Sequence, residues 1–201
     1  MRNHSPEVSL KLVKEGAKYV GKGVVAIDLA GNEDDFPPEL HKEAFQRAGR
    51  LGLRKTVHAG ETGIVENIVT AIEELGAERI GHGVYAYLKE EVCQILRDRA
   101  IPLEMCITSN VQTEAVEGYE AHPIKRYLEE GIKVTINTDN RTVSNTSLEQ
   151  EYRKAIEFLD FDYGDLIQVI QNGIEFSFAD EGDKERLRKI IKAELEALNL
   201  K

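Results

Sequence analysis

At 201 residues the chain can bury one substantial core, because a domain of this size removes roughly 70% of its unfolded surface from water. A formal net charge of -10 and the absence of any Lys/Arg run argue against a nucleic-acid backbone or an anionic membrane as partner and favour a small molecule. The opening residues, Met1-Arg2-Asn3-His4-Ser5-Pro6, contain no apolar leader core, and no stretch approaches the roughly 18 consecutive apolar residues of a membrane span, so a cytoplasmic location is expected. Cys93 and Cys106 are too few and too isolated for a disulfide framework or a C-x-x-C pair, and they read as small buried residues.

Short β-branched runs alternate with amphipathic stretches, the rhythm of parallel βα units. Ser5-Pro6 supplies an N-cap and a first-turn proline for a helix over 8–19 that ends near Gly21 and Gly23. A strand over 24–29 follows, then a loop with Pro37-Pro38, a helix over 39–51 closed by Gly52 and a strand over 54–58. The pattern continues with a helix over 64–75 stopped by Gly76, a strand over 79–81, a helix over 88–98 and a strand over 102–107. Next come a helix over 122–130 capped by Gly131, a strand over 133–137 and a helix over 148–159. Helices over 165–178 and 183–198 finish the chain, and no low-complexity segment or linker interrupts it, so residues 1–201 read as one domain.

About five strands are present, where a closed (β/α)8 barrel needs eight and typically about 250 residues. The chain begins just before a helix with no preceding strand, so the expectation is an incomplete TIM-type barrel holding strands four to eight, with the deficit at the front and Met1 an internal methionine of a longer ancestral chain. Such an arc would expose strand edges and core, hazards that self-association or a complementary N-terminal segment would relieve. A self-contained open sheet of flavodoxin type is the competing architecture.

In parallel barrels functional side chains gather where strands end. Here Asp28-Leu29-Ala30-Gly31-Asn32, His58-Ala59-Gly60-Glu61, Gly81-His82-Gly83, Thr108-Ser109-Asn110 and Asn137-Thr138-Asp139-Asn140 close the five strands, so all five clusters are expected on one face. His58 can offer zinc a nitrogen ligand and Asp139 an oxygen ligand. Taken singly, each is as well explained by a cap or a loop hydrogen bond. Glu61, three residues after His58, suits a proton donor whose pKa burial would raise, or else a carboxylate favoured by a helix N-terminus. His82 between two glycines marks a close approach to something and suits a catalytic or oxyanion-stabilising group. His4, His41 and His122 lack such settings and are expected at the surface or at helix caps. No G-x-S-x-G elbow, P-loop, G-x-G-x-x-G fingerprint or H-x-E with P-C-x-x-C pattern occurs.

These motifs, in order, resemble the adenosine deaminase family of the amidohydrolase superfamily, with Thr108-Ser109-Asn110-Val111-Gln112-Thr113 and His122-Pro123 in support and Thr138-Asp139-Asn140-Arg141 similar to bacterial members. The resemblance spans nearly the whole chain. It implies zinc-dependent hydrolytic deamination of adenosine or 2'-deoxyadenosine to inosine or 2'-deoxyinosine in purine salvage. It also implies His58 and Asp139 as zinc ligands, Glu61 as the donor to the ring N1, His82 as the group that orients and stabilises the attacking oxygen, and Gly31 and Asn140 as contacts to the substrate. Two departures stand out. Asn140 replaces a second Asp of many members, which leaves adenine or another aminopurine as an alternative substrate. The family's His-x-His pair is absent from this sequence, so two ligands are missing. The expected consequence is an impaired site in the chain alone, with a non-catalytic truncated relic as the competing reading.

Overall fold

The structure is a computed structural model that describes residues 1–200. Five parallel strands, β1 (Ala26–Leu29), β2 (Arg54–Ala59), β3 (Arg79–His82), β4 (Leu103–Met105) and β5 (Val134–Ile136), form one sheet in sequential order. Sequential order is that of a barrel arc; a flavodoxin-type sheet would reverse direction at a switch point. The chain therefore has the architecture of an incomplete (β/α)8 barrel. β1 and β5 form the two ends of the sheet, each paired with one neighbour among the described residues.

Helices separate the strands. α1 (Pro6–Gly16) starts at the expected proline and runs on as a tight turn over Ala17–Tyr19. α2 (Lys42–Arg50) is entered through another tight turn, Pro38–His41. α3 (Glu66–Thr70) widens into a π-type turn over Ala71–Leu75 and stops at left-handed Gly76. After β3 come a tight turn over Val84–Leu88 and α4 (Glu90–Asp98). Then follow α5 (Ile107–Gln112), α6 (Ile124–Glu129), α7 (Arg141–Ser144), α8 (Leu148–Leu159), α9 (Tyr163–Glu175) and α10 (Glu181–Ala197). Both α8 and α9 open with a reciprocal capping box, Ser147 with Gln150 and Asp162 with Asp165, which explains why those boundaries lie close to the sequence expectation.

The core lies between the sheet and its helices. Val57, Ile80, Leu103 and Val134 present one face of four adjacent strands to Ile68, Leu75, Leu96, Ile124 and Tyr127, and all are buried. Residues alternate along a strand, so His58, Gly81, Glu104 and Thr135, which lie side by side in register, face the other way. Cys93 and Cys106 are free and buried, as expected.

Three expectations need correction. The strand expected over 102–107 is confined to Leu103–Met105, and Ile107–Gln112 is helical. Its β-branched residues favour a strand, but the Thr108 N–H and hydroxyl both donate to Glu151, which fixes a helix start instead. The short α7 was not anticipated either; Asn140 caps it by accepting from the amides of Thr142 and Val143. Finally, His41 and His122 do sit at helix ends, before α2 and after the tight turn Tyr119–Ala121, but neither is at the surface. His41 is enclosed between the Ser9 hydroxyl and the Arg2 carbonyl, and His122 lies in the core against Asn110.

Burial, reinforced by the positive charge of His82, pushes the His122 pKa down from 6.5 to about 3. Folding holds this ring neutral while the unfolded chain protonates it near pH 6.5, so between about pH 6.5 and about pH 3 the unfolded state binds the extra proton. Stability is complete above that window and declines as pH falls through it. Urea midpoints of the chain are expected to drop between pH 7.5 and pH 5, and to drop less in His122→Gln. Equal drops in the two proteins would contradict the burial of a neutral His122.

Candidate active site

The strand ends converge. Gly31, His58, Glu61, His82 and Asp139 line a single cavity of about 650 Å³, together with Glu33, Asp34, Tyr85 and Thr113. Asn140, the sixth predicted site residue, is not among the lining residues, and its side-chain oxygen serves the cap of α7.

The register of β2 against β3 sets the centre of the site. His58 pairs with Gly81 and Ala59 with His82. A Cβ at Gly81 would come within 2.9 Å of His58 Cγ and 3.0 Å of its Nε2, so the close approach signalled by the flanking glycine is to the His58 imidazole. The two rings meet edge to face, with centroids 4.9 Å apart and planes at 83°. His82, the last residue of β3, and Asp139, three residues beyond the end of β5, both have positive φ, 61° and 53°, a conformation uncommon for residues with a side chain.

Charge is distributed unevenly. His58 Nε2 lies 3.1 Å from Asp28 Oδ2. Burial alone would lower the His58 pKa, but the hydrogen bond and charge of Asp28, with Glu61 and Asp139 beyond, outweigh it and the pKa is raised. Burial and the positive charge of His58 hold His82 below the ordinary histidine range. Glu61 Oε2 is 3.6 Å from His82 Nε2, and its Oε1 accepts from Thr113 Oγ1 at 3.3 Å. Burial raises the Glu61 pKa; the His58 charge opposes this, whereas Asp139 and Glu33 reinforce it. A carboxyl so placed is suited to give up a proton inside the cavity. Asp139 is fixed by the Ser109 hydroxyl, which donates to its Oδ2 at 2.7 Å.

Several supporting residues escaped the sequence reading. Glu33, 3% exposed, accepts at its Oε1 from the Gly60 amide (2.7 Å) and Asn67 Nδ2 (3.0 Å), and at its Oε2 from the Glu61 amide (2.9 Å) and the Thr62 amide (3.4 Å). It thereby pins the loop that carries Glu61. Fully buried Arg2 donates to the carbonyls of His58 and Phe36 and steadies the end of β2 from behind. Glu151 anchors Thr108 and Thr146, and so the start of the helix bearing Ser109 and Asn110. The only signal for Glu33 was its place two residues after Gly31 in a strand-end loop; Arg2 and Glu151 gave none, because the partners that matter to the site, Phe36 and His58 for Arg2 and Thr108 for Glu151, are distant in sequence.

As donors to a metal, His58 and Asp139 fit zinc in kind, one imidazole and one carboxylate. They do not complete a site: a catalytic zinc takes three protein ligands or more, and among the described residues no three His, Cys, Asp or Glu side chains converge on one point.

A family model described as adenosine deaminase matches residues 1–194. The adenosine deaminase of Clostridium kluyveri is 54% identical over 200 residues, which cover 100% of this chain and 57% of that protein. Among solved structures, an adenine deaminase from Arthrobacter aurescens superposes with a TM-score of 0.90 at 27% identity, covering 97% of this chain and 59% of that one. An amidohydrolase from Burkholderia ambifaria with bound zinc gives 0.91 at 26%, covering 98% of this chain and 56% of that one. The chain thus spans a little over half the length of the relatives it matches. Because the match runs through nearly all of this sequence, the chain belongs to the adenosine deaminase family.

Proposed function

We propose that this cavity takes a purine bearing an exocyclic amine, adenosine or 2'-deoxyadenosine, and that the complete site hydrolyses the C6–N bond to give inosine or 2'-deoxyinosine and ammonia. The observation that carries the reading is Glu61: a carboxyl with a raised pKa, facing His82, on a backbone whose amide Glu33 holds in place. His58 and Asp139 would hold a zinc ion, whose chemistry there is to bring the pKa of a water to about 7. Glu61 gives its proton to N1 as the water oxygen bonds to C6, which neutralises charge developing on the ring; the Glu61 carboxylate so formed takes the proton released by that oxygen and passes it to the exocyclic amine, and the C6–N bond breaks to release ammonia. His82 directs a hydrogen bond at that oxygen, and the Gly31 backbone borders the purine. The chain alone supplies two donors, and we infer that its own turnover is impaired without the remaining ligands. Free adenine is the second reading, favoured by the Arthrobacter aurescens similarity and by Asn140 in place of a carboxylate; comparing turnover of adenine with that of adenosine separates the two.

The described lining of the cavity carries five carboxylates, Glu33, Asp34, Glu61, Glu114 and Asp139, and no Lys or Arg. A phosphate group would meet several carboxylates and no Lys or Arg among these residues, which favours a nucleoside or base over a nucleotide.

In the complete enzyme, Glu61→Gln should retain zinc and lower kcat by roughly 100-fold or more, the usual contribution of a positioned acid, whereas His58→Ala should lose zinc and activity together. Unchanged kcat in Glu61→Gln contradicts the donor assignment. From the lining charge, kcat/KM for adenosine should exceed that for AMP by about 100-fold or more; equal values would contradict the nucleoside assignment.

A further inference from the structure

His82, Asn110 and His122 form a buried line leading away from the cavity. Asn110, 0% exposed, places its Nδ2 3.0 Å from His82 Nδ1 and its Oδ1 3.2 Å from His122 Nε2. At the far end the Ile124 backbone N–H points at His122 Nδ1, 3.3 Å away. Imidazole protons can sit on either nitrogen and an amide can be turned end for end, so three members of this line have no direction of their own. The fourth does. A backbone N–H can only donate.

That fixed end orders the rest. His122 Nδ1 must carry the lone pair, which leaves the proton of the neutral ring on Nε2. This N–H donates to Asn110, so the amide oxygen faces His122 and the amide NH2 faces His82. His82 Nδ1 therefore accepts, and the His82 proton sits on Nε2, the nitrogen that lies 3.6 Å from Glu61 Oε2 at the cavity wall. Turning the amide over would set its NH2 against the Nε2–H of His122, two donors facing each other in the core, with the desolvation of both uncompensated.

We propose that Asn110 and His122 are positioning residues that lock His82 in its Nε2–H tautomer, so that His82 meets the cavity as a hydrogen-bond donor and has no lone pair there with which to act as a base. The donor role toward substrate rests on the deaminase reading above; the tautomer itself does not. It also gives a purpose to the Thr108-Ser109-Asn110 and His122-Pro123 motifs, whose side chains lie mostly behind the cavity wall.

Two-bond proton–nitrogen correlation spectra of the full chain labelled with 15N-histidine, recorded at pH 7.5 without substrate or metal, read which nitrogen of each ring is protonated. His82 and His122 should both show Nε2–H. Asn110→Asp replaces the donor facing His82 with an acceptor and should move the His82 proton to Nδ1, while His122→Gln, which still offers an N–H to Asn110, should leave His82 at Nε2–H. The His82 signals are identified by their loss in His82→Gln. An Nδ1–H His82 in the unaltered chain overturns the proposal whatever the folding of the variants, as does a folded Asn110→Asp in which His82 keeps Nε2–H. Because no turnover is measured, failure of the deaminase reading would appear in the activity assays and leave this result standing.

Discussion

The site rests on the register of β2 against β3. A parallel pair shifted by one residue exchanges the two faces of a strand, and here the faces differ completely. Val57 and Ile80 lie in the apolar layer under the helices, each worth roughly 1.5–3 kcal/mol of burial. His58 and Gly81, their neighbours in sequence, face the opposite way. The outer apolar layer thus enforces the inner polar one: a slip that buried His58 under α3 would also pull Val57 from its core. Once His58 stands opposite Gly81, the missing Cβ leaves room for its ring, and His82 follows one residue later at the strand end.

Two buried carboxylates extend this order to the loops. Glu33 gathers the amides of Gly60, Glu61 and Thr62 on one side of the cavity, and Glu151 takes the amide and hydroxyl of Thr108 and the hydroxyl of Thr146 on the other. Burying a carboxylate is costly unless hydrogen bonds compensate it. Both are compensated, and each takes at least one backbone amide whose position matters: the first loop presents Glu61 and the second segment presents Ser109, the partner of Asp139. The acid and one of the candidate metal donors are therefore held by groups that do not themselves need to touch a substrate.

Much of this could be read from the residues. The five strands, their parallel pairing and the gathering of His58, Glu61, His82 and Asp139 follow from periodicity and from polar clusters at strand ends, both of which are local signals. The parts that could not be read are non-local. Thr108-Ser109-Asn110 reads locally as a polar loop closing a strand that reaches Ile107, and Ile107–Gln112 is helical because Glu151, 43 residues away, captures Thr108. The burial of His122 gave no local signal: the Ile124 amide two residues on is a backbone group that any sequence supplies, and the side chain that meets the ring in the core, Asn110, is 12 residues away. Asn140 shows the reverse case: a local cap competes for an oxygen that the family resemblance assigns to substrate, and in this structure the cap holds it.

The central claim is that a purine occupies the cavity bordered by Gly31, Glu61, His82 and Asp139. Titrating inosine into the 15N-labelled chain and mapping amide shifts tests this without turnover or metal. The account predicts that the perturbed amides cluster at 30–34, 58–62, 82–85 and 113–115, around the lining of that cavity. Perturbations centred instead on the groove between α9 and α10, near Ile174 and Leu195, would contradict it, as would no response at the strand ends.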